Sequence, residues 1–175
     1  MLSKRHLLLG LPAYLSLSLM ARPAVADSPS PADAEAEINS LLNRYSLALD
    51  AGQIEQCAEL FSRAEFEIEG VATVQGKDGV QELFSGIILY EYGTPRTKHL
   101  VSNVDIRVAE DGATASSSSY LTVMQQVGDA PLRPIFSGIY SDTFALIDGE
   151  WMFTSRVISQ PLFGDMSLHL TNPPN

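Results

Sequence analysis

The sequence of 175 residues holds three histidines, His6, His99 and His169. His6 falls in an N-terminal leader and His169 in a proline-ended tail, so His99 is the one the sequence positions for chemistry. It lies in Arg96-Thr97-Lys98-His99-Leu100-Val101-Ser102-Asn103, where a turn-like Gly93-Thr94-Pro95 gives way to strand alternation. An imidazole at a strand mouth serves as a general base near neutral pH when a carboxylate fixes its tautomer and stabilises its charged form. Asp50, at the end of the first predicted helix, is the candidate carboxylate. A helix C-terminus disfavours a negative charge by roughly 0.3–1 kcal/mol, so a functional Asp50 needs compensating partners. The alternative makes Asp50 an N-cap or turn residue ahead of Gly52. Tyr45, on the apolar stripe of the same helix, either packs in the core or lends its hydroxyl to a pocket floored by the sheet.

Further side chains are candidates for binding a substrate. His99, Val101 and Asn103 share one strand face, opposite Leu100, Val104 and Ile106, so that His99 and Asn103 point away from the more apolar face, into a pocket or solvent. Tyr120, Tyr140, Asp142 and Arg156 complete the set. Tyr140 and Asp142 share a face with Phe136 and Phe144, so at least one of the pair is expected to be buried and partnered. Arg156 shares a face with Met152 and Ile158, where the alternative to a substrate contact is a buried salt bridge to Asp142 or Asp50. Cys57, the one cysteine, reads as a small buried side chain. It excludes a multi-cysteine metal site and an internal disulfide. With no HExxH, no phosphate-binding glycine loop and scattered carboxylates, neither a metal nor an organic cofactor is expected.

The elements that must hold these residues follow from periodicity. Ile38, Leu41, Leu42, Tyr45, Ala48 and Leu49 recur at helical spacing, Gly52 suits the helix end, and Ile54, Cys57, Ala58 and Phe61 support a second helix. Phe66 to Thr73 alternates as a strand, Val74-Gln75-Gly76 turns, and Val80, Leu83, Phe84, Ile87 and Ile88 predict a third helix. From His99 the pattern becomes strands to Val108, from Thr114 to Val127, from Ile135 to Ile147 and from Trp151 to Ser159, with Asp111-Gly112 and Asp148-Gly149 as hairpin turns. Helices followed by an antiparallel meander predict an α+β domain whose curved sheet and covering helices enclose a pocket.

Residues 1–26 read as a secretory signal, with Lys4-Arg5, an apolar Leu7 to Met20 and the small-residue site Ala24-Val25-Ala26. A secreted or periplasmic location follows, with cleavage after Ala26. The apolar stretch is shorter than the roughly 20 residues of a membrane span, so no membrane anchor is expected after cleavage. A linker over 27–34, one domain over 35–170 and a tail over 171–175 complete the organisation. The leader holds Lys4, Arg5 and Arg22 of the 11 basic residues and none of the 21 acidic ones, leaving the mature part at about −13. Nucleic acid and anionic membrane surfaces are therefore excluded as natural partners.

The segments RYSLALDAGQIEQCAELF, FEIEGVATVQGKDGVQELF, RTKHLVSNVDI, GIYSDTFALIDGEWMFTSR and GDMSLHL, in this order, resemble the SnoaL-like group of the NTF2-like cone fold. The resemblance implies N-terminal helices packed across a strongly curved, mostly antiparallel sheet. Its nearest likeness is to cofactor-free lyases: scytalone dehydratase, bile-acid 7α-dehydratase and hexachlorocyclohexane dehydrochlorinase. It implies catalytic roles for Asp50 and His99, and for Tyr45 by likeness to the bile-acid enzyme, with Arg156 matching a late-strand arginine. Where scytalone dehydratase has a second histidine on the following strand, this chain reads Ser118-Ser119-Tyr120-Leu121, which puts a scytalone-like substrate in doubt. The expected function is a lyase acting on a small, largely apolar, cyclic substrate. An isomerase or polyketide-type cyclase needs the same proton transfer, and a non-catalytic module would hold a hydrophobic ligand or protein partner in the same cone. A homodimer through the outer sheet face is the oligomer the resemblance allows.

Overall fold

The computed structural model describes residues 30–173; the predicted signal, the first three residues of the linker and the last two of the tail lie outside them. Helix α1 runs Pro31–Asp50, starting inside the predicted linker because Ser30 caps it, accepting the Asp33 N–H, and Pro31 supplies a preset first turn. Its buried stripe includes Ile38, Leu41, Leu42, Tyr45 and Leu49. Helix α2 (Ile54–Glu59) buries Cys57 and Ala58 fully. The predicted strand over Phe66 to Thr73 is instead a hairpin of two short strands, β1 (Glu65–Ile68) and β2 (Ala72–Gln75), because Gly70 adopts a φ of 73° and reverses the chain between them. Helix α3 (Gly76–Leu83) ends before Ile87, which bridges to Leu170 instead.

Four long strands follow: β3 (Thr97–Val108), β4 (Thr114–Gln125), β5 (Arg133–Ile147) and β6 (Glu150–Phe163). They join the hairpin in one six-stranded sheet of order β2-β1-β6-β5-β4-β3, antiparallel except where β1 runs parallel to β6. This is the expected α+β architecture, with a curved, mostly antiparallel sheet under the helices.

Bulges decide which side chains face inward. In β3 the register shifts between Ser102 and Asp105, where Asn103 and Val104 together oppose one residue of β4, and Asn103 has a φ of 55°. A bulge flips the alternation. Thr97, His99 and Val101 therefore face inward before it and Ile106 and Val108 after it, while Leu100 and Val104 point outward, 54 % and 40 % exposed. A second shift, between Thr143 and Phe144 on β5 against β6, puts Arg156 on the inner face with Phe153 rather than with Met152.

The core is aromatic at its centre. Phe61 stacks on Phe153 at 4.7 Å between centroids and meets Phe66 edge-on at 5.0 Å, and Tyr45 packs edge-on against Phe61 at 5.7 Å. The α1–α2 corner is as constrained. Gly52, at a φ of +72°, ends α1 just beyond Asp50, and a Cβ there would sit 1.9 Å from the Gly93 carbonyl oxygen. Gly52→Ala therefore combines left-handed backbone strain with a backbone clash, and a loss of about 2 kcal/mol or more is expected in chemical denaturation. Unchanged stability would show that this corner yields freely.

Candidate active site

The last residue of α1 turns its side chain across to the first residues of β3. Asp50 Oδ1 accepts the Thr97 hydroxyl at 2.8 Å and lies 2.7 Å from His99 Nδ1, while Oδ2 accepts the His99 backbone N–H at 2.9 Å. These contacts supply the compensation that a carboxylate at a helix C-terminus requires. Burial alone would raise the Asp50 pKa, yet the hydrogen bonds and charge of His99, with the bond from Thr97, outweigh it and hold the carboxyl below its ordinary value. Asp50 is not a cap for α2, whose N-cap position is Gln53 with no side-chain capping bond.

An ionised carboxylate only accepts hydrogen bonds, so His99 Nδ1 carries the proton in this contact. In the neutral ring Nε2 is then the bare nitrogen, and it has no hydrogen-bond partner among the described residues. The pair is secluded, with side chains 8 % (His99) and 10 % (Asp50) exposed. The Tyr45 ring stands edge-on to the His99 ring, 6.2 Å between centroids.

His99 and Tyr45 open onto a cavity of about 500 Å³ whose remaining wall is mainly apolar, including Leu49, Phe84, Ile87, Leu121, Val123, Phe136, Ile158 and Met166. A concave apolar chamber with a few convergent polar groups is the ordinary form of a small-molecule site. Burial pushes the Tyr45 pKa well above its ordinary value, and the neighbouring Tyr140 and Cys57 add to that against the lowering pull of Arg156. Tyr45 is therefore a neutral phenol.

The remaining expected site residues lie elsewhere. Asn103 sits at the bulge and is exposed, which corrects its expected place beside His99, since the bulge ends that face. Tyr120 is 55 % exposed on the outer face, because the residues of β4 that turn inward are its neighbours Ser119 and Leu121. Tyr140, Asp142 and Arg156 are buried and do not line the cavity. Arg156 Nε donates to Asp142 Oδ1 at 2.7 Å and its NH2 to Oδ2 at 2.8 Å. Its guanidinium lies 3.9 Å from the Tyr140 ring centroid and 4.3 Å from that of Tyr45. The salt-bridge alternative for Arg156 thus holds, and the ion pair supports Tyr45 from behind. Burial lifts the Cys57 thiol to about 12, against a small opposing pull from Arg156, so it stays protonated. Among the described residues no three His, Cys, Asp or Glu side chains converge as a metal site would need.

His169 is the residue that the sequence misplaced. It is 8 % exposed and lines the cavity together with Thr171 and Asn172, so the C-terminal segment is a wall and not a loose tail. Its signal in the sequence was Met166-Ser167-Leu168-His169-Leu170, an apolar run whose depth no local period could reveal. Burial, reinforced by the nearby His99 charge and opposed by Asp50, lowers the His169 pKa from 6.5 to about 4.

The SnoaL-like domain family matches residues 30–157. Comparison with curated proteins gives no significant match. Among solved structures, an NTF2-like protein with a cystatin-like fold from Novosphingobium aromaticivorans aligns at a TM-score of 0.60 and 20% identity, over 72% of this chain and 82% of its own. A scytalone dehydratase-like protein from the same organism aligns at 0.58 and 21%, over 75% and 87%. LinA aligns at 0.59 and 19%, over 80% and 95%. At these identities the likenesses establish the fold.

The lowered His169 pKa has a consequence for stability. The unfolded chain takes up a proton near pH 6.5 whereas the folded one resists until about pH 4, so the stability tied to neutral His169 is complete above pH 6.5 and drains away as pH falls towards 4. The difference in unfolding free energy between wild type and His169→Gln should narrow across that window by about 2–3 kcal/mol. Parallel curves for the two proteins would contradict the assignment.

Proposed function

Because the chain belongs to the SnoaL-like domain family and folds as an NTF2-like α+β cone, we propose that it is a cofactor-independent lyase of the dehydratase kind. Its substrate is a small, largely apolar, cyclic molecule. The observation that carries this reading is the 2.7 Å contact between His99 Nδ1 and Asp50 at the wall of an apolar cavity, with Nε2 left to face the ligand. The likenesses to a scytalone dehydratase-like protein and to LinA are consistent with it.

His99 Nε2 takes a proton from a carbon of the bound ring. The electron pair of that C–H bond forms a carbon–carbon double bond, and the leaving group departs from the neighbouring carbon with its own bonding pair. Asp50 holds the ring in the Nδ1–H tautomer and stabilises the imidazolium as it forms. Tyr45, kept neutral by burial, donates a hydrogen bond to a departing oxygen. The apolar wall excludes water, which strengthens each of these interactions. Isomerisation or cyclisation would begin with the same proton transfer. The apolar cavity alone also suits a non-catalytic binder of a hydrophobic ligand; such a protein has no need of a polarised imidazole on its wall. A secreted or periplasmic enzyme is proposed on the strength of the leader over residues 1–26.

The test is elimination from a panel of cyclic alcohols and cyclic halides, followed as the new alkene by mass spectrometry. His99→Ala and Asp50→Asn should each slow single-turnover elimination roughly 10²–10⁴-fold, and the double variant should be little worse than either, because both residues serve one proton transfer. Folded variants that turn over normally would remove the dyad from the mechanism. Variants that merely unfold would make both residues structural.

A further inference from the structure

The cavity beside the dyad has a dry end and a wet one. Tyr45, Leu49, Leu121, Val123 and Ile158 form buried wall, and the secluded side chain of His99 lies among them. Val71, Phe163, Thr171 and Asn172 also line it, yet they are exposed and so mark its mouth. Phe163 is packed on Phe136, 5.3 Å between centroids, which holds its ring at that mouth. A ligand that reaches His99 enters past Phe163, and whatever is too long for the dry end rests there.

Volume sets a scale for this ligand. An apolar cavity of about 150 Å³ holds one benzene ring, so a chamber of about 500 Å³ has room for roughly three. A single ring would leave most of the apolar wall without contacts, forfeiting both dispersion and burial. It could also settle away from His99 Nε2, whereas a ligand that fills the chamber is held in one place.

Charge sets a second limit. Among the described residues no Lys, Arg, Asp or Glu lines the cavity. The buried cation of the core, Arg156, lies against the Tyr45 ring and is committed to Asp142 through two hydrogen bonds. Asp50 is bound by Thr97 and His99, and it matches any charge that His99 acquires. An anionic ligand would lose its water without meeting a free cation, and a cationic ligand would find no free carboxylate. Either transfer is costly.

We propose that the substrate is an uncharged molecule of about three fused rings, seated with its reacting ring at His99 and its last ring against Phe163 at the mouth. This rests on the reading of the cavity as the substrate site of the lyase. Phe163 is then a specificity-determining residue, since its ring stabilises the part of the ligand that smaller molecules lack.

The experiment is calorimetric titration of the purified protein with benzyl alcohol, 2-naphthalenemethanol, 2-anthracenemethanol and 2-tetracenemethanol, a linear series of one to four rings with the same polar group. Affinity should rise about fivefold or more with each ring up to the third and gain nothing further with the fourth. At neutral pH 2-anthracenecarboxylate and 2-anthracenemethylammonium should each bind at least about tenfold more weakly than the three-ring alcohol. In Phe163→Ala the ratio of three-ring to one-ring affinity should fall about fivefold. Equal affinity for the one-ring and three-ring alcohols, a further gain with the fourth ring, or an ion bound as tightly as the alcohol would overturn the proposal. So would an unchanged ratio in folded Phe163→Ala; if that variant does not fold, the wild-type rankings decide alone. These affinities are read without turnover. A protein that ranks the probes as expected but forms no alkene from any cyclic alcohol or halide loses the lyase reading and keeps its uncharged, three-ring ligand.

Discussion

The carboxylate of Asp50 joins the two halves of the cone. It stands at the end of α1, where the helix dipole repels it, and it is stabilised by the Thr97 hydroxyl, the His99 N–H and the His99 ring. All these partners come from the start of β3. The same contacts that make Asp50 tolerable there lock the helix end onto the sheet edge and fix the His99 ring in one tautomer. Structure and chemistry share this one interaction, so the geometry of the base is set before any ligand arrives.

A second buried ion pair supports the first without touching the cavity. Asp142 and Arg156 are sealed from solvent, bound to each other through two hydrogen bonds, and Ser117 donates to the same carboxylate at 3.3 Å. The guanidinium lies against the rings of Tyr45 and Tyr140, an arrangement worth more in a dry site than at a surface. An isolated charge could not remain there, and the bidentate pairing is what makes the burial tolerable. The consequence for function is positional: Tyr45 is held between the aromatic core and the cavity, beside His99.

Features written in local periodicity were legible in the sequence. The stripe Ile38, Leu41, Leu42, Tyr45 and Leu49 gave α1, the hairpin turns at Asp111-Gly112 and Asp148-Gly149 gave the meander, and residue type with family likeness singled out Asp50 and His99. What escaped was whatever depends on a change of register or on distance along the chain. One extra residue at Asn103 flips the alternation of β3, so Ile106 and Val108 turn inward on the same side as His99 and Val101, and Asn103 is left outside. A strict alternation rule contains no term for a bulge. Tyr120 was assigned to the wall although its face of β4 is the outer one. His169 was dismissed for its place near the C-terminus, yet Gln125 and Tyr90, far from it in sequence, draw that segment into the wall.

The central claim is that Asp50 poses His99 with its Nε2 bare and turned to the ligand. Nitrogen-15 NMR of the histidine side chains reads the tautomer of His99 directly, since protonated and bare ring nitrogens have well-separated shifts. At a pH where His99 is neutral, the account predicts a protonated Nδ1 and a bare Nε2 in the wild type. In Asp50→Asn that preference should weaken or invert. A wild-type ring carrying its proton on Nε2, or a tautomer indifferent to the loss of the Asp50 charge, would contradict it.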